Sequence, residues 1–142
     1  MNRHDLQLLS EIRVQEATIL LQSRCYAGAY YLLGYAVEYG LKACIAKQIR
    51  QYEFPDRSFV NKIYTHSLDV LLDASGLKRK FEREMRNNPH LALNWATVKD
   101  WDETSRYRTD ISEPLARDFH SAVTDERNGV LAWLKKQWLR KY

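Results

Sequence analysis

Residues 25–46 read CYAGAYYLLGYAVEYGLKACIA, a run in which only Glu38 and Lys42 carry charge. A run of this kind is either a membrane span or a helix enclosed by other helices. A span needs about twenty predominantly apolar residues. A central glutamate and lysine are costly in hydrocarbon, however, and Tyr26, Tyr30, Tyr31, Tyr35 and Tyr39 are spread through the segment instead of gathering at its ends. An enclosed helix from about Cys25 to Lys47 fits better, and it makes the chain an all-α protein built around one buried rod.

Working outward, Leu8, Leu9, Ile12, Ile19 and Leu20 follow a helical rhythm from Asp5 to about Gln22, interrupted by Gln15 and Glu16. Beyond the rod, Phe54-Pro55-Asp56 breaks the pattern, and Thr65-His66-Ser67-Leu68 opens a short helix that Gly76 can end in a left-handed conformation. Residues 78–88 read KRKFEREMRNN, where Leu77, Phe81 and Met85 recur every four positions, so this is an exposed amphipathic helix stopped by Pro89. From His90 to Asp110 no period is sustained, and the segment reads as part helix, part loop. Ser112-Glu113-Pro114 then starts a long final helix. Its apolar face runs Leu115, Phe119, Ala122, Val123, Val130, Trp133, Leu134 and Trp138, and Lys135, Lys136, Arg140 and Lys141 complement the negative end of its dipole. The expected architecture is an up-and-down bundle of four to five main helices.

With 142 residues, 45% hydrophobic and 28% charged, the chain is sized for one domain spanning 1–142 with a real core. Five glycines and three prolines favour a few long helices over many short strands. A net charge of +4 is compatible with nucleic-acid contact without requiring it. Cys25 and Cys44 are nineteen positions apart on one helix, roughly 28 Å along its axis, so they cannot pair with each other and read as reduced core thiols. The first residues lead straight into a helix without an apolar leader, which is the expectation for a cytoplasmic protein with no membrane contact.

The stretch AYYLLGYAVEYGLKA at residues 29–43, with its Glu38-x-x-Leu41-Lys42-Ala43 core, resembles the second-helix signature of the HEPN family, small helical bundles of toxin–antitoxin, phage-defence and RNA-processing systems. Thr65-His66-Ser67-Leu68 is similar to the family's Thr-His-x-Leu, and Arg106-Tyr107 to the Arg-Tyr ahead of its last helix. The resemblance implies a HEPN-like bundle that forms a side-by-side homodimer. It also implies a bacterial stress or defence setting, with a cognate nucleotidyltransferase-like or antitoxin partner. In many members it further implies a metal-independent endoribonuclease in the dimer cleft. The nuclease members carry an arginine, often followed by asparagine, and then a histidine a turn or more later. Arg127-Asn128 matches the first half, but Ala132, Trp133 and Leu134 stand where the histidine belongs. Without that imidazole, no group at the family's position exchanges protons with a 2′-hydroxyl near neutral pH.

Glu38 and Lys42, four apart with the acid nearer the N-terminus, form a favourable helical pair. Either they fix helix register, or Glu38 orients Lys42 toward a phosphate. His120 and Arg127 are seven apart; on a continuous helix they project within about 20° of each other, with Arg117 beside them, as a candidate phosphodiester clamp. The alternative is a solvated edge paired with Asp118, Asp125 and Glu126. Arg106, Tyr107 and Arg108, with Asp110 ahead of the last helix, can hold phosphate and stack on a base, or simply make loop-to-helix salt bridges. His66 can likewise contact a ligand, but beside Thr65 it reads first as part of a helix cap. His4, His66, His90 and His120 are too dispersed for a metal site, and no cofactor motif is present. Three functions remain in view. The first is a non-catalytic HEPN-like binder of RNA, nucleotide or a cognate partner, using Lys42, Arg106, Tyr107, Arg108, Arg117 and Asn128. The second is a ribonuclease toxin with a variant site of Arg106, Arg108, His120 and Arg127, in which Arg127 and His120 are catalytic. The third is a protein–protein adaptor.

Overall fold

The computed structural model describes residues 2–51, 61 and 63–139. Among them are seven α-helices, one 3-10 helix and no strand: α1 (Arg3–Gln22), α2 (Tyr26–Gln51), α3 (Leu68–Ala74), α4 (Lys78–Asn87), α5 (Pro89–Val98), the 3-10 helix (Glu103–Tyr107), α6 (Glu113–Thr124) and α7 (Val130–Leu139). No helix among the described residues is long and apolar enough to cross a membrane. The break expected at Phe54-Pro55-Asp56 lies outside the described residues, as do Arg140 and Lys141.

α1 and α2 form an antiparallel hairpin closed by Ser23-Arg24-Cys25. Arg24 takes the left-handed conformation (φ 63°), its amide donates to the Leu21 carbonyl (3.1 Å) and that of Cys25 to Leu20 (2.8 Å). This is the double-bonded stop that caps orphan carbonyls at a helix C-terminus. Small residues let the two helices approach. Ala17, Ala29 and Ala36 are fully buried, and the buried Ser10 hydroxyl donates to the Ala36 carbonyl across the interface (2.7 Å), which satisfies a polar group that would otherwise be costly to enclose.

α2 is the enclosed rod. It packs against α1, α3, α6, α7 and the 3-10 helix, and Leu33, Val37, Leu41 and Ile45 on it are all at or below 2% exposure. The apolar side chains of the other helices close around it as one cluster, with Phe81, Trp95 and Trp133 packed edge to face where α4, α5 and α7 meet. Trp138 joins α7 to the rod by donating its Nε1–H to the Gly40 carbonyl (3.0 Å).

Two sequence expectations are corrected here. The final helix is not continuous: α6 ends at Thr124, and the turn through Asp125 to Gly129 separates it from α7. Asp125 causes the break, because its carboxylate accepts from the amides of Arg127 (3.2 Å) and Asn128 (2.7 Å), and so offers the backbone a local alternative to helix. Cys25 is not a core thiol; it is exposed in the hairpin turn, whereas Cys44 is buried. Other expectations hold. Gly76 follows α3 with φ 75°, Ser112 caps α6, and Phe81 is the buried residue of α4. Pro89 ends α4 and also opens α5 at its first turn, after Asn88 caps that helix.

Candidate functional site

Tyr31, Tyr35, Glu38 and Lys42 fall at helical spacing on α2, and so share one face. That face is covered by Trp101 and the 3-10 helix. A Cβ on Gly34 would lie 1.9–2.2 Å from the Trp101 ring, so the indole rests directly on the α2 backbone and only glycine leaves it room. Tyr35 meets Trp101 edge-on (centroids 5.1 Å), and Tyr31 in turn meets Tyr35 (5.0 Å). Burial, helped by the Tyr31 hydroxyl and by the charges of Glu38 and Glu103, holds the Tyr35 phenol far above its ordinary range, so it stays neutral.

Glu38 is the buried charge of this face, with its side chain 2% exposed. Its carboxylate is held by two partners: Lys42 Nζ donates to Oε2 (3.2 Å), and His66 Nδ1 lies 2.8 Å from Oε1. On the far side of the imidazole, Nε2 lies 2.9 Å from Glu103 Oε2 in the 3-10 helix. His66 is therefore not the helix cap that its place beside Thr65 suggested. Ser67 makes the cap, Thr65 accepts from the Ser67 amide (3.0 Å), and the imidazole ties α2 to the 3-10 helix. A buried carboxylate requires such compensation, and the Glu38-x-x-x-Lys42 pattern revealed only half of it.

Beside this bridge lies an exposed edge of cations and rings. The Arg106 guanidinium sits 4.7 Å over the Tyr107 ring and donates to its hydroxyl (2.7 Å). Arg108 lies 5.9 Å from the Tyr30 ring and forks onto Asp110 (3.0 and 3.2 Å), which pulls the Asp110 carboxyl below its usual range. Tyr107 is 71% exposed. Beneath the edge, Trp101 Nε1 and Ser105 Oγ are buried without a hydrogen-bond partner among the described residues.

The remaining sequence candidates lie elsewhere. Arg117 is exposed and paired with Glu113 on its own helix (2.7 Å). His120 is turned toward α1, where its Nε2 lies 3.0 Å from Thr18 Oγ1. Because the Thr18 hydroxyl donates to the Val14 carbonyl, its oxygen accepts from Nε2–H. Burial, and secondarily the Arg117 charge, hold the His120 imidazole below its ordinary value. Arg127 is exposed in the α6–α7 turn. Asn128 joins that turn to α5, accepting from Asn88 Nδ2 on its side chain (2.9 Å) and from Asn94 Nδ2 on its carbonyl (2.8 Å). His120 and Arg127 thus sit on separate elements, and the helical register that was to align them does not exist. At the family's histidine position, Trp133 and Leu134 are buried, while Ala132 lines a shallow cleft with Val14, Leu131 and Lys135. Of the sequence candidates, Lys42 and Glu38 on α2 are the ones linked to the 3-10 helix of Arg106 and Tyr107, through His66 and Glu103. Among the described residues, no group of three or more His, Cys, Asp or Glu side chains is placed to hold a metal.

Compared with protein-family models, with curated proteins and with solved structures, the chain matches none.

Proposed function

We propose that this chain is a HEPN-like helical protein, acting as a homodimer, that binds RNA or a nucleotide on the edge formed by Arg106, Tyr107 and Arg108 without cleaving it. The observation that carries this reading is the pairing of cation and ring on one exposed edge. Arg106 over the exposed Tyr107 ring offers guanidinium to phosphate and an aromatic face to a base, and Arg108, beside the buried Tyr30, adds a second guanidinium. Support for binding over cleavage comes from the last two helices. His120 is bonded inward to Thr18, Arg127 lies in a separate turn, and no imidazole stands at the family's position. A stress or defence setting, with a nucleotidyltransferase-like or antitoxin partner, follows from the HEPN resemblance.

The test is fluorescence anisotropy of a labelled single-stranded RNA at low and moderate salt, paired with incubation of total RNA in EDTA. Salt-sensitive binding that is weakened at least tenfold by the Arg106→Ala/Tyr107→Ala double variant, with no cleavage, is the expected result. Cleavage abolished by His120→Ala would replace this reading with the ribonuclease one. Absence of any binding would leave the adaptor. A monomer at micromolar concentration in light scattering would remove the homodimer.

A further inference from the structure

The bridge Glu38–His66–Glu103 is asymmetric. Nε2 lies 2.9 Å from a Glu103 carboxylate oxygen, so it is a ring N–H that donates outward. Glu38 is held by both Lys42 and His66, whereas Glu103 is held by His66 on the outer side. The inner contact is enclosed and cannot be given up cheaply, since releasing it would strip a partner from a carboxylate that is 2% exposed. The outer contact is different. The Glu103 carboxylate is 41% exposed and sits in a 3-10 helix of only five residues. Exposed ion pairs of this kind are weak and exchange readily with other anions.

We propose that Glu103 fills, as an internal stand-in, an oxyanion site whose donor is His66 Nε2, and that a phosphate group of the ligand displaces it. This rests on the reading of the adjoining edge as a nucleotide or RNA surface, and it supplies the reason to expect phosphate there. The imidazole packs edge-on to Tyr35 (5.9 Å), Tyr35 packs on Trp101, and Glu103 belongs to the same short helix as Arg106 and Tyr107. A phosphate on Nε2 would therefore lie beside the short helix that carries the exposed Tyr107 ring, the face on which a base can stack. When Glu103 swings away, His66 Nε2 is left facing solvent without an acceptor, and a phosphate oxygen takes that place. Glu103 thereby sets a threshold, because a weak anion leaves the bridge closed.

The experiment titrates inorganic phosphate into the ¹⁵N-labelled chain and follows the His66 ring nitrogens by NMR, in the wild type and in Glu103→Gln. The expected result is a saturable change at Nε2 with Nδ1 unmoved, occurring at about two- to fivefold lower phosphate in Glu103→Gln, which is the range that loss of an exposed competing ion pair allows. His66→Gln should abolish the tighter binding; should that variant not fold, the Glu103→Gln comparison decides by itself, since it alters an exposed group. Equal phosphate affinity in both proteins, or no change at Nε2, overturns the proposal. The same pair is then tested with single-stranded RNA. RNA that binds both proteins equally through Arg106 and Tyr107 keeps the functional reading and removes the oxyanion site. A Glu103-dependent phosphate response in a chain that ignores RNA does the reverse, and assigns the site to a free phosphate or small phosphorylated ligand.

Discussion

Replacing Gly34 by alanine tests the core of the site most directly. In a helix interior, Gly→Ala ordinarily gains about 1 kcal/mol. Here the added methyl would lie 1.9–2.2 Å from three ring atoms of Trp101, a separation that no small adjustment relieves, so the indole must leave its place on α2. The cost then approaches that of removing a buried tryptophan, about 3–5 kcal/mol. Setting the helix gain against it leaves a net loss of about 2–4 kcal/mol. Urea unfolding followed by far-UV circular dichroism measures the loss, and a red shift of tryptophan emission reports the ejected ring. The decisive comparison is a double-mutant cycle. In a Trp101→Ala background the methyl has space, and Gly34→Ala should become neutral or stabilising by about 1 kcal/mol. A cost under about 0.5 kcal/mol in the wild type, within the range of an ordinary surface change, or an equal cost in both backgrounds, would show that Trp101 does not lie against α2 at Gly34.

Three further outcomes are expected. Glu38→Ala should cost about 3–5 kcal/mol in the same unfolding assay, while Lys42→Met, which leaves His66 to compensate the carboxylate, should cost about 1 kcal/mol; similar costs for the two would contradict the shared-carboxylate geometry. Because the folded-state pKa of His120 is depressed below its ordinary 6.5, the unfolded chain takes up the proton first. Stability should therefore fall as pH drops below about 6.5, and His120→Gln should flatten that slope between pH 7.5 and 5.5. Burial pushes the Cys44 thiol up to about 12, so iodoacetamide at pH 8 should modify the exposed Cys25 alone, with Cys44 reacting only in denaturant; equal modification of both under native conditions would contradict the burial of Cys44.

The rod from Tyr26 onward was legible because an apolar run with dispersed tyrosines and two charges at four-residue spacing admits few other solutions. The cap at Ser112 and the stop at Gly76 were legible from local signals alone. The break between α6 and α7 was missed because the apolar positions Phe119, Val123, Val130 and Leu134 keep a plausible helical spacing across it. The signal that could have found it is Asp125 four residues ahead of Gly129, with Asn128-Gly129 forming a turn dipeptide. His66 was misread because its two carboxylate partners lie 28 and 37 positions away, and no local pattern announces a tertiary bridge. Trp101 over Gly34 escaped for that reason too. A glycine inside a helix reads as a weak point until the ring that needs its bare backbone is found.

The hairpin of α1 and α2 gives the molecule two timescales. Its contacts join residues close in the chain, so the loop entropy to be overcome is small and it can form early. The bridge through His66 needs Glu38 and Glu103 to meet across more than sixty residues and is anchored at its outer end by one exposed carboxylate. Hydrogen exchange should therefore find the amides of the 3-10 helix opening at low cost while those of the hairpin open only with global unfolding. The edge that carries Arg106 and Tyr107 can then open and close many times within the lifetime of a single folded molecule, and it can be reshaped by mutation without endangering the scaffold that carries it.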